Sequence, residues 1–462
     1  MKIAPLSVGT IHLIGIGGIG ISGIAEILHS MGYKVQGSDQ VENSNTERLR
    51  KDGIPVFIGH KAENVKGVNA VVHSTAIHFD NPEIIQARKE GIPVMHRSEM
   101  MAEIMRFKSS ICISGSHGKT TTTSLIGSIL KAAHLKPTII NGGIINSLKT
   151  NAIIGTGDWM VVEADESDST FIKIPSTISV ITNIDPEHLD HYKTFEILKE
   201  SFLSFAKQVP FYGFALLCTD HPVVNSLTPH ITNRRFISYG VKQKADCMGH
   251  NVKATPEGMV FDVTYKNHHL KGVHLNLHGD HNVLNALAAI AIAFEFKVDD
   301  QTIHESLSSF QGVKRRFTKV GEWNGVSIID DYAHHPSEIK AVLSAAKGVA
   351  AKKIIVVMQP HRYSRLHNLF EDFSTCFQGV DHLILAPVYA AGESAVPGAD
   401  HIALAKAVAL HLKFPVDIIQ SPGEIPEKIK AIAHPGDYVI FMGAGSITQW
   451  AYALEDDLKK LD

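Results

Sequence analysis

The sequence predicts an α/β protein of three successive nucleotide-fold blocks: Rossmann-like at the N-terminus, a phosphate-loop mononucleotide-binding block in the centre, and Rossmann-like again at the C-terminus. Three observations predict it. Residues 110–130 pass from a short apolar run, Ile111-Cys112-Ile113, through Gly115-Ser116-His117-Gly118-Lys119-Thr120-Thr121 into Leu125, Ile126, Ile129 and Leu130 at helical spacing. Residues 10–39 read strand, glycine turn, helix, strand, with Gly15, Gly17 and Gly20 at G-x-G-x-x-G spacing and Asp39 ending the second strand. Beyond residue 313, strand and helix patterns alternate a third time. A length of 462 residues suits about three domains, expected at 1–107, 108–312 and 313–462.

Bulk properties narrow the function classes. A formal net charge of −3 gives no overall basic surplus for nucleic acid or an acidic membrane. The N-terminus reads as no signal peptide, and no apolar run approaches the roughly 18 residues of a membrane span. Cys112, Cys218, Cys247 and Cys376 are scattered and never form C-x-x-C, which points to buried thiols in a reducing cytoplasm rather than a zinc site.

In the first block the glycines allow a diphosphate to approach the backbone at a helix N-terminus. Taken alone, the fingerprint suggests an NAD enzyme, but a UDP-sugar carries the same diphosphate. Further strands are expected at 68–73 and 92–95, and the unit is expected to end near Arg106.

The second block opens on the phosphate loop. Its G-x-x-G-K-T spacing is shorter than the usual G-x-x-x-x-G-K-[ST]. Gly115 and Gly118 let backbone N–H groups face phosphate oxygens, Lys119 can reach the β/γ-phosphates, and the Thr120 hydroxyl can ligate Mg²⁺. The strand 159–162 then runs into Glu163-Ala164-Asp165-Glu166-Ser167-Asp168. Glu163, directly after the strand, is placed like the acidic metal residue that faces a phosphate loop, whereas Asp165, Glu166 and Asp168 read equally well as a solvated acidic loop. An apolar strand at 177–184 leads to His188, just beyond a strand end, where ligands gather in open α/β sheets. Residues 194–208 read as an amphipathic helix, and 244–278 as short strands with a turn at Pro256-Glu257-Gly258. Gly279-Asp280-His281-Asn282 opens a helix carrying Asn285, with Asn282 also readable as its cap.

The third block follows a basic stretch, Lys314-Arg315-Arg316-Phe317, read as a hinge. Strands are expected at 326–330, 353–358, 382–385, 416–419 and 437–442. In a parallel sheet the polar loops after the first three and the last would share one edge, the default ligand face. They are 331–336, 359–365, 387–393 and 443–446.

The order of HGKTTT, EADESD, TNIDPEHLD, HNVLNA, GVKRRF, DDYAHHP, QPHRYSR and YAAGE resembles the Mur ligases of peptidoglycan synthesis over essentially the whole chain, nearest to the branch that takes L-alanine. The resemblance implies ATP, Mg²⁺ at two sites (Mn²⁺ being an alternative), UDP-N-acetylmuramate and L-alanine, and a cytoplasmic monomer or dimer. It implies ATP contacts at Gly115, Ser116, His117, Gly118, Lys119, Thr120, Thr121, His281, Asn282, Asn285, Arg316, Asp331 and His335, with Thr120, Glu163 and His188 on metal and Lys119, Glu163, His188 and Asp331 in catalysis. Gly15, Gly17, Gly18, Ile19, Gly20, Asp39, His73, Ser74 and Thr75 would hold the UDP-sugar, and Tyr332, His361, Arg362 and Arg365 the amino acid. No counterpart of the carbamylated lysine found in other Mur ligases is evident. A sibling branch that recycles muropeptides is second, because it more typically has Tyr where Ser167 stands here; an NAD-dependent oxidoreductase and a non-catalytic nucleotide-gated binding protein are more remote.

Overall fold

The computed structural model describes residues 9–461 except 75, 146–149, 168 and 351. The chain forms two compact units, one made of residues through 248 with 264–268 and 285–306, the other of 249–263, 269–284 and 307–462. No helix among the described residues is long and apolar enough to cross a membrane.

The first unit opens with a five-stranded parallel sheet in the order Val56–Ile58, Lys34–Asp39, Thr10–Ile14, Ala70–His73, Val94–His96. The order reverses between Thr10–Ile14 and Ala70–His73, so the crevice at their carboxyl ends, where Gly15 and Ser74 follow, is the switch point at which such sheets bind ligands. A second run of neighbouring strands is Phe236–Gly240, Phe214–Cys218, Ile178–Ile181, Ser109–Ser114, Trp159–Glu163, Thr138–Ile145 and Thr150–Ile153. All pair in parallel except the last. Ser109–Ser114 lies in the middle because both neighbours and both faces are apolar: Ile111, Cys112 and Ile113 are fully buried. The register sets Ile113 beside Glu163, which brings the phosphate loop and that carboxylate to the same sheet edge. One apolar cluster runs from Ile24 and Met101 to Val162 and Ile174, packing the helix behind the first glycine loop against the strand that carries Glu163.

In the second unit a six-stranded sheet has the order Thr318–Trp323, Val326–Asp331, Tyr438–Met442, Ile354–Met358, His382–Leu385, Val416–Ile418. Only the first pairing is antiparallel. The loops after Asp331, Met358, Leu385 and Met442 therefore leave from one edge, as the pattern predicts. The stretch 244–278 gives strands Cys247–Thr255, Gly258–Tyr265 and His268–Leu275, with Gly258 starting a strand rather than closing the turn.

Candidate active site

In the first unit, Ser109–Ser114 delivers the chain to Gly115 at φ +137, where a Cβ would lie 2.1 Å from Thr182 Oγ1. Gly118, at φ +80, caps the helix Lys119–Ala132, and a Cβ there would lie 2.7 Å from Asn285 Oδ1. Only glycine meets both demands. The loop is fastened from behind by the segment 182–185. Asn183 Oδ1 accepts from the His117 N–H (2.7 Å), Thr182 Oγ1 donates to the His117 carbonyl (2.7 Å), and Ser116 Oγ accepts from the Asp185 N–H (2.8 Å). His117 Nε2 also reaches Asp185 at 3.0 Å. Burial opposes ionisation of the Asp185 carboxyl, yet His117 and His221 hold it far below the usual carboxylate range. Asn285 Oδ1 accepts from Thr122 at 3.1 Å, joining its helix to the phosphate-loop helix.

Lys119 Nζ donates to the carbonyls of Gly115 (2.6 Å) and Ser116 (3.2 Å) and to Glu166 Oε1 (2.8 Å). Burial would lower the ammonium pKa, but Glu166, Glu163 and Asp165 outweigh it and raise it. Glu166 is 2% exposed, so the solvated reading fails for this acid. Burial pushes its carboxyl up to about 7 against the pull of Lys119, and its Oε2 has no hydrogen-bond partner. Glu166, Glu187 and His188 bring ligand atoms within 4.8 Å of one another. His188 sits in the left-handed region at φ +55, with its Nε2 3.8 Å from Glu166 and 3.7 Å from Glu187. Thr120 is buried at the first turn of the helix. Glu166 and Glu187 lie outside the predicted set; a carboxylate three residues past a strand gives no periodic sign that it turns inward.

A cavity of about 290 Å³ lies between the first glycine loop and the strand end that carries Glu163. Gly18, Gly20, Ser74, Arg97 and Ser98 line one side, and Asn141, Glu163 and Asp165 the other. Of the residues the resemblance assigns to the UDP-sugar, Gly18, Gly20 and Ser74 reach this cavity. Asp39 accepts the N–H groups of Gly17 (2.9 Å) and Val41 (3.2 Å), and Gly17 is close-packed, since a Cβ would meet Asn43 Nδ2 at 2.5 Å. His73 is buried between the rings of Phe79 and His96. Thr75 and Asp168, and the side chain of Ile19, lie outside the described residues. Arg97, absent from the predicted set, opens the helix Arg97–Met105 and sets Nη1 2.8 Å from where a Gly20 Cβ would stand.

In the second unit Asp331 ends its strand fully buried and accepts the N–H groups of Phe317 and Ala333, both at 2.7 Å. Burial raises its carboxyl to about 6, against Arg316 and these two donors. Arg316 Nη1 lies 3.6 Å from Glu338, and His335 caps the helix Pro336–Val349 through Ser337. Burial, with Arg316 nearby, pushes His281 down to about 4. Asn282 lies inside the helix Asp280–Glu295 and donates to the His278 carbonyl (2.8 Å), so it is not the cap. The Tyr332 ring carries the guanidinium of Arg315 at 4.5 Å and of Arg316 at 5.3 Å. His361 stacks on Tyr389 at 5.4 Å, and Arg365 Nη1 reaches His361 Nδ1 at 3.3 Å. Burial and the two arginines depress the His361 imidazole to about 4. Arg362, at φ +68, stands 4.0 Å from Glu393.

Residues 10–109 match the profile described as Mur ligase family, catalytic domain; 113–293 match the Mur ligase middle domain; and 315–445 match the Mur ligase, glutamate ligase domain. The chain is 53% identical to a UDP-N-acetylmuramate–L-alanine ligase of Azorhizobium caulinodans, over 99% of each. It is 52% identical to the protein of that name in Rhodospirillum rubrum, over 99% of this chain and 97% of the relative. Among solved structures, the UDP-N-acetylmuramate-alanine ligase of Thermotoga maritima superposes with a TM-score of 0.81 at 29% identity, covering 98% of this chain and 100% of the other. A murein peptide ligase of Psychrobacter arcticus shares the fold, with a TM-score of 0.69 at 21% identity over 97% and 98% of the two chains.

Proposed function

The chain belongs to the Mur ligase family, and on that premise we propose that it uses ATP to join L-alanine to the lactyl carboxylate of UDP-N-acetylmuramate in peptidoglycan precursor synthesis. Full-length relatives at about half identity bear the name of this reaction, which takes precedence over the recycling ligase, the oxidoreductase and the nucleotide-gated binding protein. The observation that supports the reading in this chain is the cavity: the first glycine loop, through Gly18 and Gly20, and Glu163 line one space.

The chemistry follows from the charges. A carboxylate is a poor electrophile and repels the γ-phosphate of ATP. Transfer of the γ-phosphoryl group to the lactyl carboxylate gives an acyl phosphate; the alanine amine attacks it, and phosphate leaves. Lys119 is already desolvated and cationic at the loop, and it exchanges a carbonyl or Glu166 for a phosphate oxygen when ATP enters. Thr120 and Glu163 would hold one Mg²⁺, and His188, with Glu166 and Glu187, a second. The fit rests on hard oxygen donors around His188 and on the orphaned Oε2 of Glu166. When bound, the cation offsets charge on the transferring phosphoryl group. Gly18, Gly20 and Arg97 receive the diphosphate, Arg97 as a paired donor suited to phosphate oxygens. Asn285 in the first unit, and His281, Arg316, Asp331 and His335 in the second, serve ATP; Tyr332, His361, Arg362 and Arg365 serve the amino acid.

Phosphate release from ATP, measured with each UDP-sugar and amino acid added in turn, tests the proposal. Release is expected only with UDP-N-acetylmuramate and an amino acid together, L-alanine being best. Release driven by a tripeptide in preference to L-alanine, or micromolar NAD binding with none for the UDP-sugar, overturns it.

A further inference from the structure

The wall of the cavity contains one polar group that its own fold leaves unsatisfied. Asn141 lies in the strand Thr138–Ile145, is 3% exposed and lines the cavity with Glu163. Its orientation is fixed by proton counting. Ser124 Oγ spends its single proton on the Thr120 carbonyl at 2.8 Å, so toward Asn141, 2.6 Å away, it can only accept. The amide must therefore present Nδ2 to Ser124, which leaves Oδ1 on the other side. Oδ1 is buried and has no hydrogen-bond partner. Among the described residues lining the cavity, Asn141 alone has a buried side-chain polar atom in that state. Buried acceptors are normally paired, and one left open beside a ligand space calls for a donor on the ligand.

We propose that Asn141 Oδ1 accepts the acetamido N–H of the UDP-sugar and so positions the hexose between its two reacting ends. The inference rests on the function proposed above. The covalent structure of the substrate supplies the geometry. Its diphosphate is on C1, its acetamido group on C2 and its lactyl ether on C3. With the diphosphate at Gly18 and Gly20 and the lactyl carboxylate at Glu163, the C2 substituent falls between them, on the stretch of wall that Asn141 shares. The C4 and C6 hydroxyls lie across the ring. Asn141 is thus a positioning residue.

The test compares UDP-N-acetylmuramate with an analogue whose 2-acetamido nitrogen is replaced by an ester oxygen, in the wild-type enzyme and in Asn141→Ala, by initial rates of phosphate release. The wild type should show a KM for the analogue about tenfold higher, the loss expected for one buried hydrogen bond. Asn141→Ala should show a similar rise with the natural substrate, no further rise with the analogue, and a nearly unchanged KM for ATP. A wild-type enzyme indifferent to the ester overturns the proposal, and that comparison decides it even if Asn141→Ala does not fold. Penalties that multiply in the variant, or a variant whose loss falls on ATP instead of the sugar, overturn it too. Absence of any release by the wild type with the natural sugar and L-alanine removes the functional reading itself, a different result from indifference to the ester.

Discussion

Glu163 and Glu166 stand three residues apart on one strand-end turn, yet their surroundings divide their work. Glu163 is half-buried on the cavity wall opposite the first glycine loop, while Glu166 is buried against Lys119 and His188. The apolar run before it made Glu163 legible, because the residue that ends a buried strand must emerge at the sheet edge. Glu166 was not legible, because an irregular turn has no period that tells which acid points inward. The same holds for Arg97, whose place beside Gly20 depends on packing between distant segments. Glu163→Ala should reduce ligation roughly a hundredfold or more, the scale of a lost electrostatic group at a reacting centre, with the thermal unfolding midpoint nearly unchanged. Phosphate-release kinetics at fixed Mg²⁺ and a circular dichroism melt measure the two quantities. Near-normal turnover would return Glu163 to the solvated acidic loop.

At the scale of elements, periodic and capped segments were readable and featureless ones were not. Thr194 caps Phe195–Lys207 through its hydroxyl, close to the expected 194–208. Phe214–Cys218 is a fully buried five-residue run, and such a run carries no alternation to separate strand from helix. Thr318–Trp323 is a partly exposed edge strand containing Gly321, and its antiparallel pairing follows from a contact rather than a pattern. The N-terminal sheet hides a further feature of this kind. Glu83, on the helix Pro82–Lys89, is fully buried and accepts from Ser38 Oγ (2.6 Å), Asn64 Nδ2 (2.5 Å) and the Lys61 N–H (3.3 Å), with His60 and His12 at 3.3 and 3.6 Å. Burial alone would raise its pKa, but hydrogen bonds from His12, Ser38 and Asn64 outweigh it and leave it lowered. A carboxyl lowered by folding stabilises the fold above its unfolded pKa, about 4.5, and that contribution fades as pH falls through the lower folded value. Glu83→Gln should therefore cost about 1–3 kcal/mol at pH 7 and progressively less in acid. Urea titrations of both proteins at pH 7 and below pH 4 check it; an equal difference at both pH values would show that shape, not charge, holds the network.

At the scale of the whole molecule the proposed reaction has two halves, and the side chains sort between them. On the proposed reading, Lys119, Glu163 and the cavity would act in forming the acyl phosphate, whereas Arg362 and Arg365 would act only once an amino acid is present. The sequence placed both arginines after a strand of the third sheet, and the fold makes them unequal. Arg362 faces Glu393 and is about half exposed, while Arg365 enters the helix Tyr363–Asn368 and lies against His361. Arg365 is the one we propose as the carboxylate receptor; it lies beside His361, whose imidazole burial and the arginines depress to about 4. Arg365→Ala should raise the KM for L-alanine strongly, a charge-assisted hydrogen bond being worth about 1.5–3 kcal/mol. It should leave the first half-reaction largely intact, because that step needs no amino acid. Positional isotope exchange within ATP, with UDP-N-acetylmuramate but no alanine, reads the first half alone, and steady-state ligation reads both. If the variant loses exchange as severely as ligation, Arg365 serves ATP or the fold, and recognition of the amino acid must be sought at Arg362 or Tyr332.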